Sequence, residues 1–217
     1  SRFVYRLLEK GFEVLLANVL QNYFPEFKFV TNSKANNANF QVDFISYEKN
    51  LAIELSIQTV IAEKFERINK IDPSFNLVCF SYQEMVEKFS EGNDNFISWL
   101  KNILTSGTNY ISKQTVNYSA YVSHAQLERF TMYDYSTINV DVNIVDGVQL
   151  NIEKFRGYRE EYKDAVLLLE DGSWLLPNQQ KNGAVYTCGV EVEKMSKSKY
   201  NTVNPDELCE KYGADTF

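Results

Sequence analysis

Near its C-terminal end the chain carries Lys194-Met195-Ser196-Lys197-Ser198, followed at once by Lys199. Ammonium groups on flexible stems and small hydroxyls can surround a phosphate without needing a fixed planar geometry, so this run suits a polyanion. A solvated lysine-rich loop has the same composition, and the run alone names no ligand. A second candidate is the pair Asp43 and Glu54. Phe40, Val42 and Phe44 alternate with polar residues, as do Leu51, Ile53, Leu55 and Ile57, and Tyr47–Asn50 lies between the two runs. That pattern predicts a hairpin. A turn centred on Glu48 and Lys49 sets Asp43 directly across from Glu54, each on the face opposite the apolar set. Two carboxylates so placed repel unless a proton or a cation lies between them, which makes the pair a candidate metal site.

These groups must be held by the elements around them. Arg2–Leu8 predicts a strand, and Phe12, Leu15, Leu16, Val19, Leu20 and Tyr23 recur at helical spacing as far as Pro25. Phe27–Val30 predicts a strand and Asn32–Asn37 a polar loop. After the hairpin, Ile57, Val60, Ile61, Phe65 and Ile68 predict a helix closed by Asp72-Pro73. A buried strand over Asn76–Phe80 and helices over Tyr82–Phe89 and Phe96–Leu104 follow. Thr105–Asn109 has the composition of a linker. Asn139–Val145 alternates strictly and predicts one half-buried strand, and Asp146-Gly147 predicts a turn. Phe155, Tyr158 and Tyr162 share a helical face. Ala165–Leu169 and Trp174–Leu176 predict a strand pair about the turn at Glu170–Ser173, and Val185–Val192 a strand leading into the lysine run. Asn204-Pro205-Asp206-Glu207 predicts a turn opening a helix.

The chain has 217 residues, 44% hydrophobic and 24% charged, which is an ordinary globular composition. No apolar run approaches a membrane span. Cys79, Cys188 and Cys209 are scattered and odd in number, so neither a disulfide framework nor a zinc site is expected, and a reducing, cytoplasmic setting fits. Against 22 Lys and Arg stand 29 Asp and Glu, a net charge of −7, so any nucleic-acid contact has to come from local basic patches. The start at Ser1 without a methionine and the stop at Phe217 suggest a piece of a longer protein. His124 has no Cys or Asp partner at ligand spacing and is expected at the surface. Trp99 and Trp174 are expected in packed faces; Tyr118, Tyr121, Tyr133 and Tyr135 form an aromatic stretch able to stack on RNA bases, but with fourteen tyrosines in the chain chance clustering explains it better.

The terminal run extends beyond the lysines. Lys199, Asn201, Val203, Pro205-Asp206-Glu207 and Tyr212-Gly213-Ala214-Asp215-Thr216 follow at fixed spacing. Together they resemble the second signature, KMSKS, of class I aminoacyl-tRNA synthetases, in the form carried by the leucyl-tRNA synthetase family. Phe3–Leu7, Asn139–Val145, Phe155, Glu161-Tyr162 and Leu169–Gly172 resemble that family too, so the likeness covers 1–7 and roughly 116–217. It implies a ligase that uses ATP, with Mg²⁺ accompanying it, L-leucine and tRNA(Leu). It implies ATP binding by Lys194, Met195, Ser196, Lys197 and Ser198, with Lys194 and Lys197 as the catalytic phosphate lysines. Lys199 is as well explained by a solvated charge as by a tRNA or phosphate contact. Asp206 and Glu207 are helix-start acids. The family's first signature, of His-x-x-His type, is missing, since His124 is the only histidine. The piece is therefore expected to be inactive alone and monomeric.

The expected fold is mixed α/β: an α/β insert module and a smaller β-rich part carrying the loop. The expected divisions are 1–8, a strand leading into the synthetase-specific region; 9–112, the insert; 113–180, a β-rich segment; and 181–217, the loop and the start of a helix. A helix with Glu13, a hairpin with Asp43 and Glu54, then helix and strand resemble the PD-(D/E)xK nuclease core, seen in restriction endonucleases. Ser56 stands where that core has its lysine and Val42 where it has proline, so a tRNA-binding, loop-positioning or purely structural insert is favoured over an active nuclease.

Overall fold

A computed structural model of the chain describes residues 1–34, 41–113 and 118–212. Asn36, Asn37 and Phe40, and the run Gly213–Thr216, lie outside them. The chain divides into two compact units. One comprises Leu7–Tyr118 with Met132–Asp134; the other comprises Ser1–Arg6, Ser119–Thr131 and the chain from Tyr135 onward.

The chain begins with β1 (Arg2–Leu7), which belongs to the sheet of the second unit. In the first unit the order is α1 (Glu9–Tyr23), β2 (Val30–Lys34), β3 (Gln41–Ser46), β4 (Leu51–Ser56), α2 (Gln58–Ile71), β5 (Asn76–Ser81), α3 (Tyr82–Ser90), α4 (Asn93–Thr105) and β6 (Tyr110–Ile111). Its sheet has five strands in the order β2-β3-β4-β5-β6. Strands β2, β3 and β4 are antiparallel, whereas β4, β5 and β6 run parallel. Parallel neighbours need a crossover, and α2 supplies it between β4 and β5. The hairpin register pairs Phe44 with Ile53 and Ser46 with Leu51, which carries Asp43 opposite Glu54 as the alternation predicts. Alternation also predicted one wet face, and there the structure differs. All six residues of β4 are buried, because α2 covers the face that carries Ala52 and Glu54, with Lys64 reaching Glu54. Ile45, Ala52, Leu77 and Cys79 form a core with Ile61 and Ile68 of α2. The expected strand at Phe27–Val30 starts only at Val30, since Pro25–Phe27 form a 3₁₀ turn. Ser81 caps α3, its hydroxyl accepting from Glu84 N at 3.1 Å.

The second unit contains β7 (Ser119–Val122), β8 (Tyr135–Val140), β9 (Val145–Asp146), β10 (Gln149–Leu150), α5 (Ile152–Tyr158), β11 (Ala165–Leu168), β12 (Trp174–Leu175), β13 (Gly189–Val190) and α6 (Pro205–Tyr212). The main sheet runs β12-β11-β7-β1-β13, with β8 also paired to β1. Strands β1 and β7 are antiparallel neighbours, Tyr5 facing Val122 and Arg6 facing Tyr121. Strand β11 is parallel to β7. The core gathers Val4, Tyr121, Phe155, Tyr162, Leu167 and Tyr186, with the Phe155 and Tyr162 rings stacked at 4.4 Å.

Two expectations fail in this unit. Asn139–Val145 is not one strand: β8 stops at Val140, and Val142–Ile144 form a 3₁₀ turn. The cause is local, because Asp141 Oδ1 accepts from Asn143 N at 2.9 Å and offers the backbone an alternative to the ladder. The expected strand at Val185–Val192 shrinks to Gly189–Val190, and Val192 is exposed. Gly189 opposes Phe3, and a Cβ there would sit 1.7 Å from the Tyr5 hydroxyl, so only glycine fits.

Candidate functional site

The lysine run leaves β13 as an extended segment and then tightens. Lys197–Lys199 form a 3₁₀ turn, with Lys199 N bonded to Ser196 O at 3.1 Å and Tyr200 N to Lys197 O at 3.2 Å. Tyr200 takes the left-handed conformation at φ 54°, ending the turn. Its carbonyl accepts from Val142 N at 3.0 Å, and the Arg159 guanidinium lies 5.1 Å from its ring. The broken strand at Val142 is therefore part of what anchors the loop.

Within this scaffold the three lysines differ. Lys199 Nζ is 2.5 Å from Glu193 Oε1. The bonds from Lys199 and from the Ser1 hydroxyl hold the Glu193 carboxyl below the usual range. Lys199 is thus ion-paired while its side chain stays partly exposed. Lys194 and Lys197 are exposed, and among the described residues no hydrogen bond or ion pair engages either ammonium. Ser196 and Ser198 face each other, their hydroxyl oxygens 2.8 Å apart. Met195 is 68% exposed. The arrangement offers two unpaired cations and two hydroxyls to solvent on one tight turn, which can take up the oxygens of a phosphate chain. Asn204 Oδ1 accepts from Asp206 N at 3.1 Å, which places Asp206 in the first turn of α6, where an acid favours the helix dipole.

Asn201 stands in the motif spacing, but no role follows for it from the sequence. It is 7% exposed, although it belongs to a polar loop. Its side chain makes contacts that no spacing rule reveals: Oδ1 accepts from Ser196 N at 2.7 Å, and Nδ2 faces Ser1 Oγ at 3.2 Å and Lys194 O at 3.4 Å.

The hairpin pair of the first unit is brought together as expected but is already occupied. Leu55 N donates to Asp43 Oδ2 at 2.7 Å, Asp43 N donates to Glu54 Oε2 at 3.3 Å, and Lys64 Nζ reaches Glu54 Oε1 at 2.9 Å. Glu54 is 7% exposed. Burial first, and then the Glu54 charge, push the Asp43 carboxyl up to about 7. Burial opposes the charge on Lys64, but its bond to Glu54 prevails and its pKa is raised. Burial likewise drives the Cys79 thiol upward. No group of three or more His, Cys, Asp or Glu side chains is arranged to hold a metal ion among the described residues.

The remaining sequence candidates are scattered. His124 is exposed, with Nδ1 3.1 Å from the Tyr5 hydroxyl. Trp99 packs edge-on to Phe80. Of the tyrosine stretch, Tyr121 is 2% exposed, Tyr135 packs edge-on to Tyr5, and Tyr133 is 76% exposed. All three cysteines are free thiols. No described helix is long and apolar enough to cross a membrane.

No family model matches the chain, and no solved structure does. Curated proteins do. The chain is 35% identical over 152 residues to the leucine–tRNA ligase of Porphyromonas gingivalis, covering 69% of this chain and 13% of that protein. It is 37% identical over 137 residues to that of Amoebophilus asiaticus, covering 63% of this chain and 12% of the relative. It is 50% identical over 85 residues to that of Phocaeicola vulgatus, covering 39% and 8%. The chain is thus a segment of the aminoacyl-tRNA synthetase class. It spans about an eighth of the length of the first of these relatives. Within the class, the chain belongs to the leucine–tRNA ligase family.

Proposed function

We propose that the chain supplies the ATP-phosphate loop of a leucine–tRNA ligase, which joins L-leucine to tRNA(Leu) at the expense of ATP in the cytoplasm. The observation that carries this reading is the difference among the lysines: Lys199 is tied to Glu193, while Lys194 and Lys197 are exposed and, among the described residues, unpaired. When the leucine carboxylate attacks the α-phosphate, negative charge grows on the departing pyrophosphate. Ammonium groups free to move toward it stabilise the transition state more than the ground state. Ser196 and Ser198 add neutral donors, and Met195 spans the turn between the two lysines. Mg²⁺ accompanies ATP and shares the charge of its phosphates. Leucine-dependent ATP–pyrophosphate exchange tests the reading in the full-length protein. Lys197→Ala lowers kcat by roughly 10- to 1000-fold, with the leucine KM little changed. The 217-residue chain alone gives no exchange. Exchange by that chain above its Lys197→Ala control, or full activity of the full-length variant, would refute it.

For residues 9–112 the reading is a structural insert that positions the loop or meets tRNA. Its support is that both oxygens of Glu54 and one of Asp43 already accept from protein donors. Deleting 9–112 from the full-length enzyme discriminates: weakened aminoacylation with normal adenylate formation indicates a tRNA role, and unchanged kinetics in both steps a structural one. A second reading, a nuclease-type metal site, rests on Asp43 standing opposite Glu54, although Lys64 already meets Glu54 and Ser56 stands at the motif's lysine position. Nucleic-acid cleavage dependent on Mg²⁺ or Mn²⁺ and lost in Glu54→Ala would support it; equal activity in both would remove it.

A further inference from the structure

We infer that Asn201 is a positioning residue that staples the lysine loop into the shape from which Lys194 and Lys197 act. This rests on the phosphate-loop reading above. A buried side-chain amide has two donors and an acceptor to satisfy, and an orphan in such a place is costly. Asn201 uses both ends. Its Oδ1 accepts from Ser196 N at 2.7 Å, the backbone position between the two free lysines. Its Nδ2 faces Lys194 O at 3.4 Å and Ser1 Oγ at 3.2 Å. One side chain therefore touches the backbone of Lys194 and of Ser196, and the residue after Ser196 is Lys197.

The staple is itself held in place. The Ser1 hydroxyl donates to Glu193 Oε2 at 2.5 Å, and Glu193 Oε1 receives Lys199 at 2.5 Å. Glu191 N donates to Ser1 O at 3.2 Å, tying Ser1 to the strand that leads into the loop. The contacts close a ring: Asn201 to Ser1, Ser1 to Glu193, Glu193 to Lys199, and back along the 3₁₀ turn to Asn201. Lys199 and Glu193 thus spend their charges inside the ring, and the two ammonium groups left over are those outside it. Alternatives that use the same residues differently do not require this partition. A merely solvated loop has no reason to bury an amide at 7% exposure.

The staple acts on geometry rather than on substrate, so its loss has to appear in kcat more than in leucine binding. In the full-length enzyme, Asn201→Ala lowers kcat for leucine-dependent ATP–pyrophosphate exchange by roughly 10- to 100-fold, with the leucine KM within about twofold. Asn201→Asp keeps the acceptor that faces Ser196 N and recovers to within about fivefold of the unsubstituted enzyme. In the full-length enzyme, trypsin cleaves after Lys194 and Lys197 about tenfold faster in Asn201→Ala than in the parent. Exchange within twofold of the parent, equal falls in both variants, or unchanged cleavage would overturn the inference. A full-length parent without leucine-dependent exchange overturns the ligase reading instead, and the cleavage comparison then still decides whether Asn201 holds the loop.

Discussion

The Asp43–Glu54 pair makes the folding of the first unit depend on pH in a direction opposite to most carboxylates. An ordinary aspartate near 3.8 that rises to about 7 keeps its proton in the folded state over a range where the unfolded chain has lost it. Below pH 4 both states are protonated and the stabilising contribution is fully present. Between about pH 4 and pH 7 it drains away, by about 1.4 kcal/mol per pH unit and about 4 kcal/mol in all. Asp43→Asn removes the titration while keeping an oxygen for Leu55 N. It exchanges the acidic O–H that faces Glu54 for a weaker amide N–H donor, at a cost of about 1–2 kcal/mol. The variant is therefore less stable than the parent by about 1–2 kcal/mol at pH 4 and more stable by about 2–3 kcal/mol at pH 8. Urea unfolding measures this in the 217-residue chain carrying Trp174→Phe, where Trp99 alone reports on the first unit. The midpoint difference between variant and parent changes sign between pH 4 and pH 8. A difference of one sign and one size across that range would refute the assignment of a held proton.

Other substitutions probe the second unit. Gly189→Ala forces a Cβ to 1.7 Å from the Tyr5 hydroxyl, which itself meets His124, so β1 and β13 have to part; thermal unfolding shows a loss of about 2–4 kcal/mol. Arg156 donates to the carbonyls of Ala165, Leu175, Leu176 and Pro177, binding α5 to β11 and β12. Lysine cannot span four acceptors, and Arg156→Lys costs about 1–3 kcal/mol by urea unfolding. No loss in either variant would mean that these contacts are not made in solution.

What could be read from the chain followed from periodicity and from local chemistry. Helix α1, the hairpin and the Asp43–Glu54 register were all visible, because apolar spacing and a four-residue turn fix them without any knowledge of neighbours. The exposure of Glu54 was not, since whether a strand is central depends on β5, which arrives from beyond a crossover helix. The parallel pairing of β7 with β11 was equally hidden, its strands being separated by more than forty residues of mixed structure. Asn139–Val145 misled because Val140, Val142 and Ile144 satisfy a strand's period while Asp141 quietly turns the backbone. In the lysine loop, residue types pointed to the phosphate chemistry. Which lysines are paired depends on Glu193, which carries no signal of its own in the sequence, and Asn201 was visible there as a motif position without the contacts it makes.

Strands β1 and β7 have a consequence for how such a protein can be built. Tyr5 faces Val122 and Arg6 faces Tyr121, so the sheet experiences everything between Leu7 and Tyr118 as the turn of a hairpin. Continuing that register brings residue 8 opposite residue 119, the span that a two-residue Asn-Gly link closes. Lengthening a loop costs only slowly growing entropy, so a whole folded module can stand where two residues would do. The junction is a socket: the same pair of strand ends would accept a short turn, this module or an unrelated one, and the lysine loop downstream would keep its sheet in each case.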